Sequence, residues 1–246
     1  MTILVTGGGS GIGAATARRV AAWSPVVVAD KNKANADKVA AEIVAGGGTA
    51  LAVEVDVSSA VAVKAMMAHL ATRAGPIKGL FNNAGINIRQ GIGEIEEADW
   101  DAVINTHVKG VLLVSQAVLP QMLARGRGVV VNTASDYSII GVPGLAAYCA
   151  AKTAVYALTK AMAIEFTSRG IRINAVGPGP IDTPLLRSGR APADAEARLA
   201  IHREKIPMKR LGRPEEVAAV VDFLMSDRSS YIAGQIVHPN GGMVMW

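Results

Sequence analysis

Cysteine, aromatic residues and charged residues are all scarce in this chain of 246 residues. Its one cysteine, Cys149, cannot form a disulfide within the chain, which favours a reducing compartment such as the cytoplasm. No uninterrupted apolar run approaches the roughly eighteen residues of a membrane span, and the amino terminus lacks the pattern of a secretion signal. We therefore expect a cytoplasmic protein that does not enter a membrane.

Basic residues exceed acidic ones, giving a formal net charge of +5. The lysines and arginines are scattered, however, without a basic run or an interleaved aromatic platform, so we do not expect nucleic-acid binding. The four histidines and the cysteine show no metal-ligand spacing, and no metal site is expected.

Hydrophobic residues make up 50% of the chain, and no break in composition divides it, which predicts one domain over residues 1–246. Predicted strands alternate with predicted helices from end to end. This alternation is typical of an α/β fold: a single doubly wound parallel sheet, Rossmann-type, of about seven strands with helices on both faces. Ligands of such sheets bind beyond the carboxyl ends of the strands. The residues that follow predicted strand ends are Gly7, Asp30, Asp56, Asn82, Ser135 and Gly177.

A glycine-rich segment, T-G-G-G-S-G-I-G, follows the first predicted strand, Ile3 to Thr6, and precedes a predicted helix, Ala14 to Trp23. Glycines allow a sharp turn and a close approach of pyrophosphate, and a helix amino terminus attracts phosphate. The spacing is Gly7-x-x-x-Gly11-x-Gly13. A glycine-rich turn can be only a tight loop, but the order strand, loop, helix favours a dinucleotide site.

Asp30 ends the second predicted strand, Val26 to Asp30. A carboxylate there accepts hydrogen bonds from adenosine ribose hydroxyls and repels a 2′-phosphate, which favours NAD(H) over NADP(H). Lys31 would partly offset that repulsion. Alternatively, Asp30 is an ordinary residue at a strand end with no role in cofactor binding.

Tyr148 and Lys152 are four residues apart, and Ser135 comes thirteen residues before the tyrosine. On a helix, positions i and i+4 share a face, so the ammonium should lower the pKa of the phenol. Such a tyrosine can exchange a proton with an alcohol or carbonyl oxygen. An isolated tyrosine and lysine four residues apart are common by chance, and such side chains usually lie on a solvent-exposed face of a helix.

Together these motifs resemble the short-chain dehydrogenase/reductase family in its single-domain form, over nearly the whole chain. The resemblance also includes D-V at Asp56-Val57, N-N-A-G at Asn82 to Gly85, Asn105, and P-G-P-I-D-T-P at Pro178 to Pro184.

The resemblance implies that Tyr148 is the proton donor or acceptor, that Lys152 lowers its pKa and holds ribose hydroxyls, and that Ser135 polarises the substrate oxygen. Asn105 would hold a proton-relaying water, although it could instead cap a helix, and Ser138 could compete with Ser135. The implied NAD-binding residues are Gly7, Ser10, Gly11, Ile12, Gly13, Asp30, Asp56, Val57, Asn83, Ala84, Gly85, Tyr148, Lys152, Pro178, Gly179, Ile181 and Thr183.

Residues 183–205 are polar and alanine-rich, and we expect them to form a flap over the substrate. Asp136 and Tyr137 are expected to add polarity beside the substrate oxygen. The possible wall residues are Ile139, Ile140, Val142, Leu185, Leu186 and His202, with Arg89 or Gln90 at the rim.

Three functions remain open at this point. The first is NAD-dependent interconversion of a secondary alcohol and a ketone. The second is reduction of a 3-oxoacyl thioester, because the carboxyl-terminal segment resembles 3-oxoacyl-carrier-protein reductases; Arg125, Arg127 and Arg169 would then attract an acidic acyl-carrier protein. The third is a non-catalytic NAD sensor, which would not need the serine, tyrosine and lysine.

The helices near Asn105 to Leu123 and Ala147 to Phe166 are apolar on more than one face. Such helices must be buried in a core or an interface. By resemblance to the family, we expect a homotetramer, with the tail Met243 to Trp246 as a further contact.

Overall fold

The structure is a computed structural model that describes residues 2–188 and 192–245, including their side chains except those of 192–195 and 198. Its strands are β1 Thr2–Thr6, β2 Val26–Asp30, β3 Ala50–Glu54, β4 Ile77–Asn82, β5 Gly128–Thr133, β6 Ile171–Val176 and β7 Ile236–Val237. They form one seven-stranded sheet in the order β3-β2-β1-β4-β5-β6-β7, and every neighbouring pair is parallel. The predicted fold class is confirmed.

Helices connect the strands and cover both faces of this sheet. They are α1 Gly11–Val20, α2 Lys33–Ala45, α3 Ala60–Ala71, α4 Glu97–Ile104, α5 Gly110–Ala124, α6 Ala146–Phe166, α7 Pro184–Arg187, α8 Pro192–Lys205 and α9 Pro214–Met225. A π-helical turn, Asn105–Lys109, joins α4 to α5.

Two hydrophobic cores lie on opposite faces of the sheet. Successive strand residues point to opposite faces, so Leu4 packs with α3, α5 and α6, whereas Ile3 and Val5 pack with α1, α2 and α9. Near-continuous apolar strands are what a parallel sheet covered on both sides requires.

The order of the strands places a crevice between β1 and β4. The chain passes from β1 to β2 and β3 on one side, and then crosses to β4 on the other side of β1. In open α/β sheets, ligands bind at this switch point, beyond the carboxyl ends of the strands. The segments after Thr6 and Asn82 therefore meet at the edge where a ligand is expected.

A buried polar network fixes the carboxyl ends of β4 and β5. Asn82 Nδ2 donates to Asn132 Oδ1 at 2.9 Å and to Ser115 Oγ at 3.1 Å. Asn132 Nδ2 in turn donates to Thr159 Oγ1 on α6 at 3.0 Å. Because buried polar groups are costly unless they are hydrogen-bonded, this network holds β4, β5 and α6 in a fixed register behind the site.

The continuous helical segment Glu97–Ala124 is long and apolar enough to cross a membrane by length and composition alone, with a mean hydropathy of 1.4 in its most apolar window. Polar residues such as Lys109 interrupt it, so it contains no long uninterrupted apolar run. Val114, Val118 and Met122 on this segment are fully buried in the core on the sheet. In this fold it is a core helix.

The boundaries of helix α1 differ from the sequence prediction. The helix begins at Gly11, not Ala14, and ends at Val20, not Trp23, so the second half of the glycine segment is its first turn. Strand β4 begins at Ile77, and Lys78 and Gly79 interrupt its apolar pattern. A Cβ on Gly79 would approach Ile3 Cγ1 to 3.1 Å, so a glycine suits the packing there.

Candidate active site

The glycine segment forms a tight cradle at the carboxyl end of β1. Gly7 and Gly11 have positive φ angles of 62° and 49°, in the left-handed region that favours glycine. A Cβ on Gly13 would lie 2.0 Å from the Gly7 carbonyl oxygen. The first turn of α1, from Gly11, has N–H groups with no partner within the helix, and they suit an anion such as pyrophosphate.

The N-N-A-G segment after β4 braces this cradle. Asn83 Nδ2 donates to the carbonyl oxygens of Thr6 and Gly7, both at 3.2 Å, and Asn83 N donates to Thr6 Oγ1 at 3.0 Å. The side chain of Asn83 therefore holds two strand ends together.

A cleft of about 420 Å³, the wide cleft, runs across these strand ends. It joins the glycine cradle to the ends of β2 and β3, and its size and shape suit the adenosine and pyrophosphate parts of a dinucleotide. The implied NAD-binding residues that line it are Gly7, Ser10, Gly11, Ile12, Asp30, Asp56, Val57, Asn83, Ala84, Gly85 and Thr183.

Asp30 and its neighbours set the charge at the far end of the wide cleft. The Asp30 carboxylate accepts from Gly9 N and from Asn32 N, both at 2.9 Å. Lys31 Nζ lies 2.7 Å from Asp56 Oδ2, and hydrogen bonds from Lys31 and Ser58 lower the pKa of Asp56 to about 2. The charge of Lys31 is thus balanced by Asp56, and the Asp30 carboxylate lines the cleft.

A second cavity of about 120 Å³, the narrow pocket, adjoins the wide cleft and shares five residues with it: Ile12, Asn83, Gly85, Thr183 and Leu185. It brings together the three residues predicted to carry chemistry: Ser135, which follows β5, and Tyr148 and Lys152, which lie on α6. The remaining implied NAD-binding residues that line it are Pro178, Gly179 and Ile181. Only Gly13 of the implied set lines neither cavity, because it packs against Gly7 inside the cradle.

Ser135 is oriented for a role in the narrow pocket. Its Oγ accepts from Tyr137 N at 3.1 Å, and its side chain is hydrogen-bonded to Tyr148. Ser138, the alternative serine, does not line the pocket; its hydroxyl donates to the Ser135 carbonyl oxygen. Of the two serines, Ser135 is the one placed to contact a substrate.

The predicted lowering of the Tyr148 pKa is wrong for this structure. Burial raises the pKa of Tyr148 to about 12, although its hydrogen bond with Ser135 opposes the shift. Burial also lowers the pKa of Lys152 to about 7. Lys152 Nζ donates to the Thr133 carbonyl oxygen at 2.6 Å and lies 5.6 Å from the Tyr148 ring centroid. The prediction considered only attraction between the two charges and neglected the cost of desolvating both.

The residues of the π-helical turn line two different cavities. Asn105, expected to serve the reacting groups through a water, lines the wide cleft and not the narrow pocket. His107 lines the narrow pocket instead, and only 1% of its surface is exposed. Sequence reasoning missed His107, although a histidine on an otherwise apolar helix, three residues before Gly110, was a usable signal.

Asp136 and Tyr137 point in different directions. Tyr137 lines the narrow pocket, with its ring centroid 6.4 Å from that of Tyr148. Asp136 is fully buried away from the pocket, where Oδ1 accepts from Asn240 Nδ2 at 3.1 Å and lies 3.0 Å from His238 Nδ1. The expectation that Asp136 adds polarity beside the substrate was therefore wrong; it ties the serine loop to the carboxyl-terminal segment.

The predicted flap contains α7 and α8, with residues 189–191 outside the described part of the chain. Thr183 caps α7 by accepting from Leu186 N at 3.2 Å. Leu185, Leu186 and Arg89 line the narrow pocket, as predicted. The other proposed wall and rim residues do not: Gln90, Ile139, Ile140, Val142 and His202.

Among residues 2–188 and 192–245, no group of three or more histidine, cysteine, aspartate or glutamate side chains could hold a metal ion.

Comparisons with known proteins agree with this geometry. A family model described as enoyl-(acyl carrier protein) reductase matches residues 7–244. The chain is 38% identical to 2-(S)-hydroxypropyl-CoM dehydrogenase 3 of Xanthobacter autotrophicus, over 98% of this chain and 95% of the relative. It is 40% identical to a 3-oxoacyl-[acyl-carrier-protein] reductase of Thermotoga maritima, over 98% of this chain and 97% of the relative.

Two solved structures also match over almost the whole chain. A short-chain type dehydrogenase/reductase from Mycobacterium marinum is 34% identical with a TM-score of 0.93, covering 100% of this chain and 96% of its own. A structure from Beutenbergia cavernae with NADP bound at low occupancy is 36% identical with a TM-score of 0.90, covering 98% of this chain and 96% of its own.

Proposed function

Because the chain belongs to the short-chain dehydrogenase/reductase family, and is an oxidoreductase that acts on CH–OH groups, we propose that it interconverts a secondary alcohol and a ketone with NAD(H). The observation that carries the proposal is the narrow pocket. Ser135, Tyr148 and Lys152 line it together, and it opens onto a cleft of suitable size for a dinucleotide.

In the proposed reaction each of these residues has one task. The dinucleotide, when bound, supplies the hydride acceptor or donor. The Tyr148 hydroxyl gives a proton to the carbonyl oxygen in reduction and takes one from the alcohol in oxidation. Ser135 donates a hydrogen bond to the same oxygen and polarises it. Lys152, in its ammonium form, provides the positive charge that favours the phenolate.

The residues that would hold the dinucleotide follow from the cradle and the cleft. The first turn of α1 would take the pyrophosphate, and Asp30 would accept from the adenosine ribose. Asp56 and Val57 would lie beside the adenine, and Pro178 to Thr183 beside the nicotinamide amide. The pairing of Lys31 with Asp56 supports NAD, because Lys31 is then less available to offset the repulsion between Asp30 and a 2′-phosphate.

Asp30→Asn should lower the preference for NAD over NADP by about tenfold or more, because it removes a like charge facing the 2′-phosphate. The amide oxygen can still accept from Gly9 N, so the cradle should keep its shape, and only the hydrogen bond from Asn32 N to the other carboxylate oxygen is lost. The measurement is kcat/KM with each cofactor. Glu54→Ala is the matched control: Glu54 is paired in register with Asp30 at a strand end but does not line the wide cleft. Equal use of the two cofactors by the unaltered protein would refute the role given to Asp30.

The substrate is best sought with a panel read by reduced-nicotinamide absorbance. It should contain neutral secondary alcohols, polyols, hydroxy acids, cyclic alcohols and a 3-hydroxyacyl thioester. Turnover of at least one secondary alcohol supports the proposal, whereas binding of NAD without turnover of any member would favour the non-catalytic sensor.

Reduction of a 3-oxoacyl thioester is the second candidate, because one relative carries that activity in its name. The positions of the arginines that were expected to attract a carrier protein weigh against this activity at the site of the same subunit. Arg125 and Arg127 precede β5, at the amino ends of the strands, whereas the site lies at the carboxyl ends. Arg127 is also paired with Asp227 at 2.8 Å. These residues could serve only the site of a neighbouring subunit.

We also propose a homotetramer, in a reducing compartment such as the cytoplasm. Leu112 on α5 and Ile164 on α6 are 42% and 85% exposed in the single chain, which suits burial between subunits. Sedimentation velocity should give a species of four chains. The double variant Leu112→Glu and Ile164→Glu should shift the distribution to smaller species, and a monomer of the unaltered protein at all concentrations would contradict the proposal.

A further inference from the structure

The charges that line the narrow pocket bear on the chemical class of the substrate. Its lysine and arginine side chains are Lys152 and Arg89, and among the described residues no aspartate or glutamate lines it. The carboxylates of the site, Asp30 and Asp56, line the wide cleft instead. Because opposite charges attract across a short distance, the narrow pocket favours a ligand that carries a negative charge.

Of the two basic side chains, Arg89 is the one that the proposed reaction does not use. Lys152 is fully buried beside the reacting groups, with Nζ 2.6 Å from the Thr133 carbonyl oxygen. Arg89 is half-buried and lines the same pocket as Leu145, Leu185 and Leu186. A guanidinium beside such apolar walls is costly to desolvate unless an anion pairs with it.

The backbone beside Arg89 is anchored to the segment that leads into α6. Gln90 N donates to the Gly144 carbonyl oxygen at 3.2 Å, and Gln90 pairs with Leu145 in an isolated parallel bridge. Gln90 Nε2 also donates to Asp99 Oδ2 at 2.7 Å. Leu145 directly precedes α6, three residues before Tyr148. The base of the Arg89 side chain is therefore held in a fixed relation to the tyrosine.

Asn87 faces the same pocket from the same segment. Residues two apart on an extended chain point the same way, and Asn87 and Arg89 both line the narrow pocket, whereas Ile88 between them packs with Val103 and Ala147. Asn87 Oδ1 is buried and has no hydrogen-bond partner among the described residues. A buried acceptor of this kind is costly unless a donor reaches it, and a hydroxyl group of a ligand is such a donor.

We propose that the substrate is a small hydroxylated carboxylic acid: Arg89 binds its carboxylate, and Asn87 accepts a hydrogen bond from a hydroxyl group other than the one that reacts. Arg89 also interacts with other parts of the chain, but a guanidinium has five N–H donors and can bind a carboxylate through two of them. A planar carboxylate suits a pocket of about 120 Å³ better than a bulkier tetrahedral anion. This inference rests on the proposed function, because it names the substrate class of the same site.

The carboxylate takes no part in the chemistry. In oxidation, the carbon that bears the reacting hydroxyl loses a hydride to the nicotinamide, the hydroxyl proton passes to Tyr148, and the alcohol becomes a ketone. Arg89 and Asn87 determine which secondary alcohol is held in that position.

A matched set of substrates separates the two contacts. It pairs 3-hydroxybutyrate with 2-butanol and threonate with threitol, and adds the corresponding five- and six-carbon sugar acids and sugar alcohols. For the unaltered protein, kcat/KM with NAD should be about tenfold to hundredfold higher for each acid than for its neutral partner, the usual contribution of a hydrogen-bonded charge. Additional hydroxyl groups on an acid should raise it about two- to tenfold. A hydroxyalkylsulfonate of matched length should be a poorer substrate than the carboxylate.

Substitutions assign these preferences to the two side chains. Arg89→Met, which keeps the length and removes the charge, should reduce the acid-to-neutral ratio of kcat/KM to near one. Arg89→Lys, which keeps the charge without the planar fork, should give an intermediate ratio. Asn87→Leu should lower only the preference for additional hydroxyl groups. Arg73→Met is the matched control, because Arg73 is exposed and lines neither cavity.

A binding measurement decides the inference without turnover. With NADH bound, a hydroxy acid cannot react, because both molecules are already reduced, so calorimetric titration measures its affinity alone. The sugar acids should bind about tenfold or more tightly than the sugar alcohols, and Arg89→Met should abolish this difference.

Equal kcat/KM for acids and their neutral partners, or an acid preference that persists in Arg89→Met, would overturn the inference while leaving alcohol oxidation in place. Faster turnover of the sulfonate would overturn the assignment to a carboxylic acid, and an unchanged hydroxyl preference in Asn87→Leu would overturn the role of Asn87. If no alcohol is turned over, the proposed function fails, and the calorimetric titration still decides whether Arg89 binds a carboxylate.

Discussion

Tyr148→Phe should lower kcat by about a hundredfold to ten-thousandfold, the usual contribution of a general acid or base. The substitution removes the only atom of Tyr148 that can exchange a proton and keeps the ring against His107. NAD affinity should change little, because the expected pyrophosphate and adenosine sites lie in the wide cleft, whereas Tyr148 lines the narrow pocket. Steady-state kinetics and NAD titration measure the two effects separately.

Tyr156→Phe is the matched control, since Tyr156 lies on the same helix two turns further on, where Lys160 packs over its ring. It should retain the full rate. A Tyr148→Phe protein as active as the unaltered one would show that the proton comes from another group, and the assigned mechanism would be wrong.

Gly13→Ala should weaken NAD binding on the order of a hundredfold, comparable to the effect of an ångström-scale misplacement at a binding site. Its methyl group would lie 2.0 Å from the Gly7 carbonyl oxygen, so the cradle or the start of α1 must shift. The same overpacking should reduce the free energy of unfolding by about 1–3 kcal/mol. Calorimetric titration with NAD and urea denaturation measure the two quantities.

Gly93→Ala provides the comparison, because a Cβ at Gly93 meets no atom within 4 Å and its φ is not positive. It should leave both NAD affinity and stability nearly unchanged. Tight NAD binding by a folded Gly13→Ala protein would contradict the assignment of the cradle to the pyrophosphate.

The sequence predicted the sheet and most of the cleft because both depend on local patterns. Apolar strands and turn residues recur in a fixed order, and parallel strands bring their carboxyl ends to one edge. Gly7, Asp30, Asp56 and Ser135 could therefore be assigned to a common edge without knowledge of packing. The pairing of Tyr148 with Lys152 followed in the same way from the helical repeat.

Other features depend on contacts between distant parts of the chain. The π turn that brings in His107 rests on a change of hydrogen-bond register, which the apolar periodicity of the helix does not reveal. Asp136 turns from the pocket because His238 and Asn240, about a hundred residues later, provide its partners. The pKa shifts of Tyr148 and Lys152 depend on burial, and spacing along a helix predicts only their proximity.

A crystal structure of the complex with NAD tests the central claim most directly. We expect the pyrophosphate against the first turn of α1, the adenosine ribose within hydrogen-bonding distance of Asp30, and the nicotinamide ring in the narrow pocket beside Tyr148 and Ser135. A complex in which the nicotinamide lies outside that pocket, or in which Tyr148 turns away from it, would contradict the account.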